Sequence, residues 1–199
     1  MDTAARDAFR AVRYMAPMAK PVQLALLRGI NVGGNKKVPM EELRSLAEAA
    51  GYANVKTYIN SGNLMFRAAD PREELEATLE QAIAKKFGFT VDVVVRSLDE
   101  WEQYAKKSGF PDAEKARPNL LHLAVAKAPI AKGAAEALER VAKDGERVKA
   151  LKDALWLDYA DGVGRSKLSP AVLDKHAGSP VTARNWNTVL KLAELMRAL

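Results

Sequence analysis

The chain has 199 residues, enough for one large domain or two small ones, and its 48% apolar and 28% charged residues exclude a disordered or membrane-embedded chain. The 31 Lys and Arg exceed the 25 Asp and Glu by a formal +6, spread along the sequence rather than bunched. With no cysteine and only His122 and His176, disulfides, thiolate chemistry, iron–sulfur clusters and multi-histidine metal centres are excluded, and no cofactor or metal is expected.

Residues 1–20 carry Arg6, Arg10, Arg13 and Lys20 beside Asp2 and Asp7, with no apolar run behind them. They read as an N-terminal tail rather than a secretory signal, with Met15 or Met18 as natural starts. The expectation is a cytoplasmic protein without a membrane span, since the first apolar run, 22–27, is far too short for one. That run, VQLALL, predicts a buried central strand.

After it comes a Gly-rich loop over 28–38, then a helix opened by Pro39 and stopped by Gly51. Residues 55–60 and 64–66 predict a hairpin around the Ser61-Gly62 turn. Asp70, Pro71 and Glu73 predict the cap and first turn of a helix that ends at Gly88. The run 91–95 closes the unit as a strand, and Ser97 with Glu100 forms a capping box for one more helix. Residues 109–118, with two prolines, are the linker candidate.

The order then recurs: a strand over 120–126, a helix over 132–143, strands at 147–151 and 154–159, a short helix after Ser169-Pro170, and a last helix from 185 to 199. A fourth strand is missing unless 179–183 supplies it. The expected fold class is therefore α+β: two successive ferredoxin-like (split βαβ) units, 21–108 and 118–199, with antiparallel sheets and helices on one face.

The loop after the first strand is the strongest chemical feature. Gly29, Gly33 and Gly34 leave amides unshielded while Arg28, Lys36 and Lys37 supply charge, which suits a phosphate or another anion. It is not a P-loop: Asn35 stands where lysine is required, and no hydroxyl residue follows Lys36. Glu41 and Glu42 occupy the next helical turn and repel a second anion there. A Gly-rich turn with solvated lysines explains the same residues, and both readings stay open.

Asn60, Ser61, Gly62 and Asn63 place amides and a hydroxyl at one turn, where they also serve as ordinary turn formers. Gly162, Gly164, Arg165, Ser166 and Lys167 form a third cluster. Thr182, Arg184, Asn185 and Asn187 with Trp186 form a fourth, only partly explained by helix capping. His122, among leucines, reads as a packed histidine, and no nucleophile–base pair is visible. An RNA-recognition mode lacks its aromatics and signature.

The runs LALLRGINVGGNKKVPMEELR (24–44), TYINSGNLMF (57–66), GVGRSKLS (162–169) and TARNWNTVLKL (182–192) resemble the DUF1697 family of small bacterial proteins of unknown function, over about residues 20–199. The resemblance implies a two-part α+β protein with ferredoxin-like halves, and it brings no activity, cofactor or catalytic residue. Its recognisable stretches fall on four loops: 28–37, 60–63, 165–167 and 184–188.

These loops are expected to converge on a cationic cleft between the units that binds a small anionic or phosphorylated ligand. The residues assigned to it are Arg28, Asn31, Gly33, Gly34 and Lys36; Asn60, Ser61 and Asn63; Arg165, Ser166 and Lys167; and Arg184, Asn185 and Asn187. A nucleic-acid backbone is a further possible anion. The alternatives are a metal-free enzyme using arginine and lysine to stabilise negative charge, and a structural or interaction protein, monomeric or homodimeric.

Overall fold

VQLALL carries no charge and no turn former, and it becomes an inner strand, β1 (Val22–Leu27), paired on both sides. The computed structural model describes residues 20–143, 145–160 and 162–199, so the expected tail lies, apart from Lys20, outside the described residues. The first unit continues with α1 (Met40–Ala49), the hairpin β2 (Ala53–Tyr58) and β3 (Asn63–Arg67), α2 (Arg72–Phe87) and β4 (Val93–Ser97). Its sheet runs β2-β3-β1-β4, antiparallel throughout.

Two helices follow, α3 (Leu98–Ala105) and α4 (Pro111–Ala116). The second unit then repeats the first: β5 (Leu121–Ala126), α5 (Ala134–Val141), β6 (Arg147–Leu151), β7 (Ala154–Asp158), α6 (Pro170–Ala177) and β8 (Val181–Asn185), with sheet order β6-β7-β5-β8. A last helix, α7 (Trp186–Arg197), ends the chain. The fold is α+β with two ferredoxin-like units, as the order of predicted elements implies.

Local differences have local causes. The fourth strand of the second unit exists, two residues later than 179–183, because the Gly178 stop and Pro180 delay the first ladder residue to Val181. Pro39 and Pro71 sit at the cap positions of α1 and α2 rather than inside them, and Asp70 therefore caps nothing. Within residues 109–118, α4 is held down by Phe110 and Ala113, both buried. Ser97 and Glu100 form the expected capping box.

Alternation along the strands distributes the core. Ala25, Leu27, Phe66 and Val95 face α1 and α2, while Ala124, Ala126, Leu155 and Leu157 face α5 and α6. The opposite faces of both sheets meet in a third, shared core with α3 and α7, where Leu24 and Leu26 join Leu123, Val125, Trp101, Trp156 and Trp186. Trp156 and Trp186 meet edge to face at 5.4 Å, and Trp101 Nε1 donates to Val189 O at 3.0 Å. Among the described residues no helix is long and apolar enough to cross a membrane.

Candidate functional site

Antiparallel pairing of Leu26 with Asn63 brings the end of β1 against the hairpin turn, so the first two of the four loops share one end of the sheet. Leu27 N donates to Gly62 O at 2.8 Å. Gly62 lies at φ +77°, and a Cβ there would stand 2.7 Å from Leu27 Cβ, so the close approach itself requires glycine. Asn31 ties the loop to the turn: its Nδ2 donates to Asn60 O at 2.8 Å and Val38 O at 3.0 Å, and its Oδ1 accepts from Val38 N. Gly33 and Gly34, both at positive φ, close a tight turn bridged by Val32 and Asn35. Lys36 Nζ donates to Thr90 O at 2.8 Å.

Arg184 reaches this turn from the other unit. Its Nε donates to Asn63 Oδ1 at 2.6 Å, Nη1 to Thr182 Oγ1 and Ala183 O, and Nη2 to Leu27 O, Ser61 O and Gly62 O. Asn63 is held in turn through its Nδ2 by Tyr58 O and Ser61 Oγ. Every acceptor of Arg184 is a neutral oxygen, the residue is 8% exposed, and among the described residues no carboxylate is paired with it. Burial pushes the guanidinium down to about 10, and it remains a cation at neutral pH.

Arg28 differs. Its Nη2 bonds Asp174 at 2.6 Å, Nη1 bonds Asp92 at 3.3 Å, and Nε donates to Val181 O. Two carboxylates answer its charge, and the contact clips the β1 loop to α6 and β8.

Between the units, a cleft of about 670 Å³ opens on these two arginines. Its polar lining adds His122, Ser166 and Thr182, and its apolar lining includes Val32, Val163, Leu168 and Pro170. Val32 and Val163, 68% and 47% exposed, both line the cleft. Thr182 Oγ1 accepts from Arg184, which leaves its own proton to donate. Ser166 Oγ accepts from Leu168 N and keeps its proton in the same way.

His122 lines the floor, edge to face with Tyr159 at 5.1 Å, and its Nδ1 is buried without a hydrogen-bond partner. Burial pushes the imidazole below its ordinary value, opposed by the Leu120 backbone and assisted by the Arg184 charge, so it is neutral at pH 7. Burial likewise raises the Tyr159 phenol well beyond its usual range. Among the described residues no group of three or more His, Asp or Glu gathers as a metal site.

Of the residues assigned from sequence, Arg28, Ser166 and Arg184 line the cleft, and Ser61 and Asn63 hold Arg184 from behind. Asn31, Gly34 and Asn60 instead border a separate, shallow depression with Lys37. Gly33 sits in its turn, Lys36 lies on Thr90, and Arg165 and Lys167 flank Ser166 without lining the cleft. Asn185 caps α7 through Thr188 N, and Asn187 bonds Asn119. His122 and Tyr159 also line the cleft, and loop composition points to neither. A signal existed for His122: period two places it on the face of Ala124 and Ala126, where a polar residue stands out.

The chain belongs to the DUF1697 family, described as proteins of unknown function, whose family model matches residues 21–156. The stretches at 162–169 and 182–192 lie beyond that match. Among solved structures, a conserved bacterial protein from Streptococcus pneumoniae is similar in fold, with a TM-score of 0.66 and 24% identity over 89% of this chain and 99% of that one. No curated protein matches the sequence.

Proposed function

We propose that this DUF1697 protein binds a small anionic ligand in the cleft between its two units. The observation that carries this reading is the Arg184 guanidinium: buried, held only by neutral oxygens and lining the cleft. A desolvated charge without a counter-charge is costly, and an anion entering the cleft recovers part of that cost. The Ser166 and Thr182 hydroxyls, each with a proton to donate, supply hydrogen bonds that Arg184 itself has none left to make. A volume of about 670 Å³ suits a small molecule.

Thermal melting at low salt tests the reading, with phosphate, sulfate and simple carboxylates as probes. The comparison is Gly164→Trp, which blocks the cleft without changing charge, because Gly164 has open space around it and ordinary φ. An anion at about 100 times its Kd adds ~2.7 kcal/mol, a rise of ~5–10 °C for a chain of this size. The rise should vanish in Gly164→Trp. No rise with any anion, or an equal rise in the blocked variant, refutes the assignment.

A further inference from the structure

The two units repeat each other in register around their central strands, and the repeat identifies what the cleft lacks. Leu24 stands opposite Arg96 in the first sheet, and Leu123 opposite Arg184 in the second. Each arginine donates to the carbonyl of the preceding residue, Val95 or Ala183, at 2.8 Å. Each also crosses to the other unit: Arg96 to Ala126 O at 2.7 Å, Arg184 to Leu27 O at 3.2 Å, the final residues of β5 and β1.

The flanking helices match as well. Glu80 of α2 accepts from Val93 N and pairs with Lys127, the residue after β5. Asp174 of α6 accepts from Val181 N and pairs with Arg28, the residue after β1.

One helical turn before these matched acids stand Glu76 in α2 and Pro170 in α6. Glu76 is 3% exposed, accepts Val95 N–H at 2.8 Å, and lies in the field of Arg96 and Lys127. Pro170 carries no such group. It is the first residue of α6, an 8-residue helix against the 16 residues of α2, and it lines the cleft. Ala183 occupies the register position of Val95, so its N–H points out from the sheet edge. Among the described residues no side chain accepts from it. The second unit thus has the cation and the edge N–H and lacks the carboxylate that, in the first unit, accepts that N–H within the field of its arginine.

We infer that the cleft takes a small organic carboxylate whose CO₂⁻ occupies the place held by Glu76 in the first unit, accepting Ala183 N–H opposite Arg184. The inference rests on the anion reading above and narrows it. The ligand's apolar body lies against Val32, Val163 and Leu168. A phosphate is the poorer fit: its larger set of anionic oxygens asks for more donors than the Ala183 N–H and the Ser166 and Thr182 hydroxyls supply, and Arg184 has no free N–H to add.

The test is a melting and calorimetric series of acetate, hexanoate, benzoate and phenylacetate, with hexanamide and phosphate as controls, on the full chain and on Pro170→Glu. Pro170→Glu restores the matched carboxylate. Hexanoate and benzoate should stabilise the protein more than acetate and phosphate, with hexanamide inert, and Pro170→Glu should weaken their binding by about tenfold or more through internal competition. A second readout does not depend on that variant: the Ala183 amide proton should move downfield as benzoate is added.

Phosphate or sulfate binding in the cleft with no carboxylate binding overturns this inference and leaves the anion reading standing. No anion binding overturns both. Carboxylate binding that leaves the Ala183 amide unmoved overturns the placement beside the β8 edge.

Discussion

Substituting Gly62 by alanine tests how tightly the hairpin turn is pressed against the end of β1. At φ +77° alanine meets the left-handed penalty, ~1–2 kcal/mol. Its Cβ would also stand 2.7 Å from Leu27 Cβ and 2.8 Å from Ile30 Cδ1, both buried, and overpacking of that kind costs ~1–3 kcal/mol more. Gly62→Ala should therefore lose ~2–5 kcal/mol. Gly33→Ala is the matched control, since Gly33 is at φ +58° with open space around it, and only the conformational ~1–2 kcal/mol applies.

Urea unfolding should give stabilities that differ by ~1–3 kcal/mol, read as a shift in midpoint at an unchanged slope. Because Gly62 O accepts from Leu27 N and Arg184, displacement of the turn should also reduce anion-induced stabilisation. Equal losses in the two variants would refute the steric argument.

Asn63→Ala removes the Oδ1 that meets Arg184 Nε and should cost ~1–3 kcal/mol in urea unfolding. The other unit shows the outcome, for Ala154 occupies the matching register and Arg96 Nε is buried without a partner. Asp158 has no exposed side-chain surface, and Arg117 and Arg147 both bond it. Asp158→Asn should cost ~3 kcal/mol, the low end for a buried pair because both arginines reach solvent.

Burial opposes ionisation of Asp158, and the arginine bonds outweigh it, holding the carboxyl below its usual range. Its stabilising contribution is therefore complete above the ordinary Asp value, near pH 4, and is lost as pH falls through the lowered folded value. An acid titration of stability should lose this component in Asp158→Asn. Arg28→Met should cost ~1 kcal/mol or less through its two partly exposed ion pairs, and the loss should shrink in high salt.

Much of the fold was legible because its signals are local. The uncharged 22–27 run, the Ser97–Glu100 box and the Gly88 stop each act within a few residues. Strand β8 was obscured because VTARN contains an arginine, and that side chain serves contacts more than 100 residues away in sequence. Residues 109–118 read as a linker from their prolines, while Phe110 and Ala113 bury themselves in a core that the other unit completes.

The candidate site was legible in its parts. Loop composition pointed to Arg28, Ser166 and Arg184, but the partners that neutralise Arg28 and leave Arg184 without a counter-charge come from across the molecule. The correspondence of Glu76 with Pro170 was hidden because the two helices differ twofold in length.

The most direct test of the cleft as a carboxylate site is a crystal structure with 4-bromobenzoate, the bromine located by its anomalous signal. The expected result is one site inside the cleft, its bromine near Val32 and Val163 and its carboxylate toward Arg184. A cleft left empty at saturating ligand, or bromine found only along the Lys36–Lys37 loop, would contradict it.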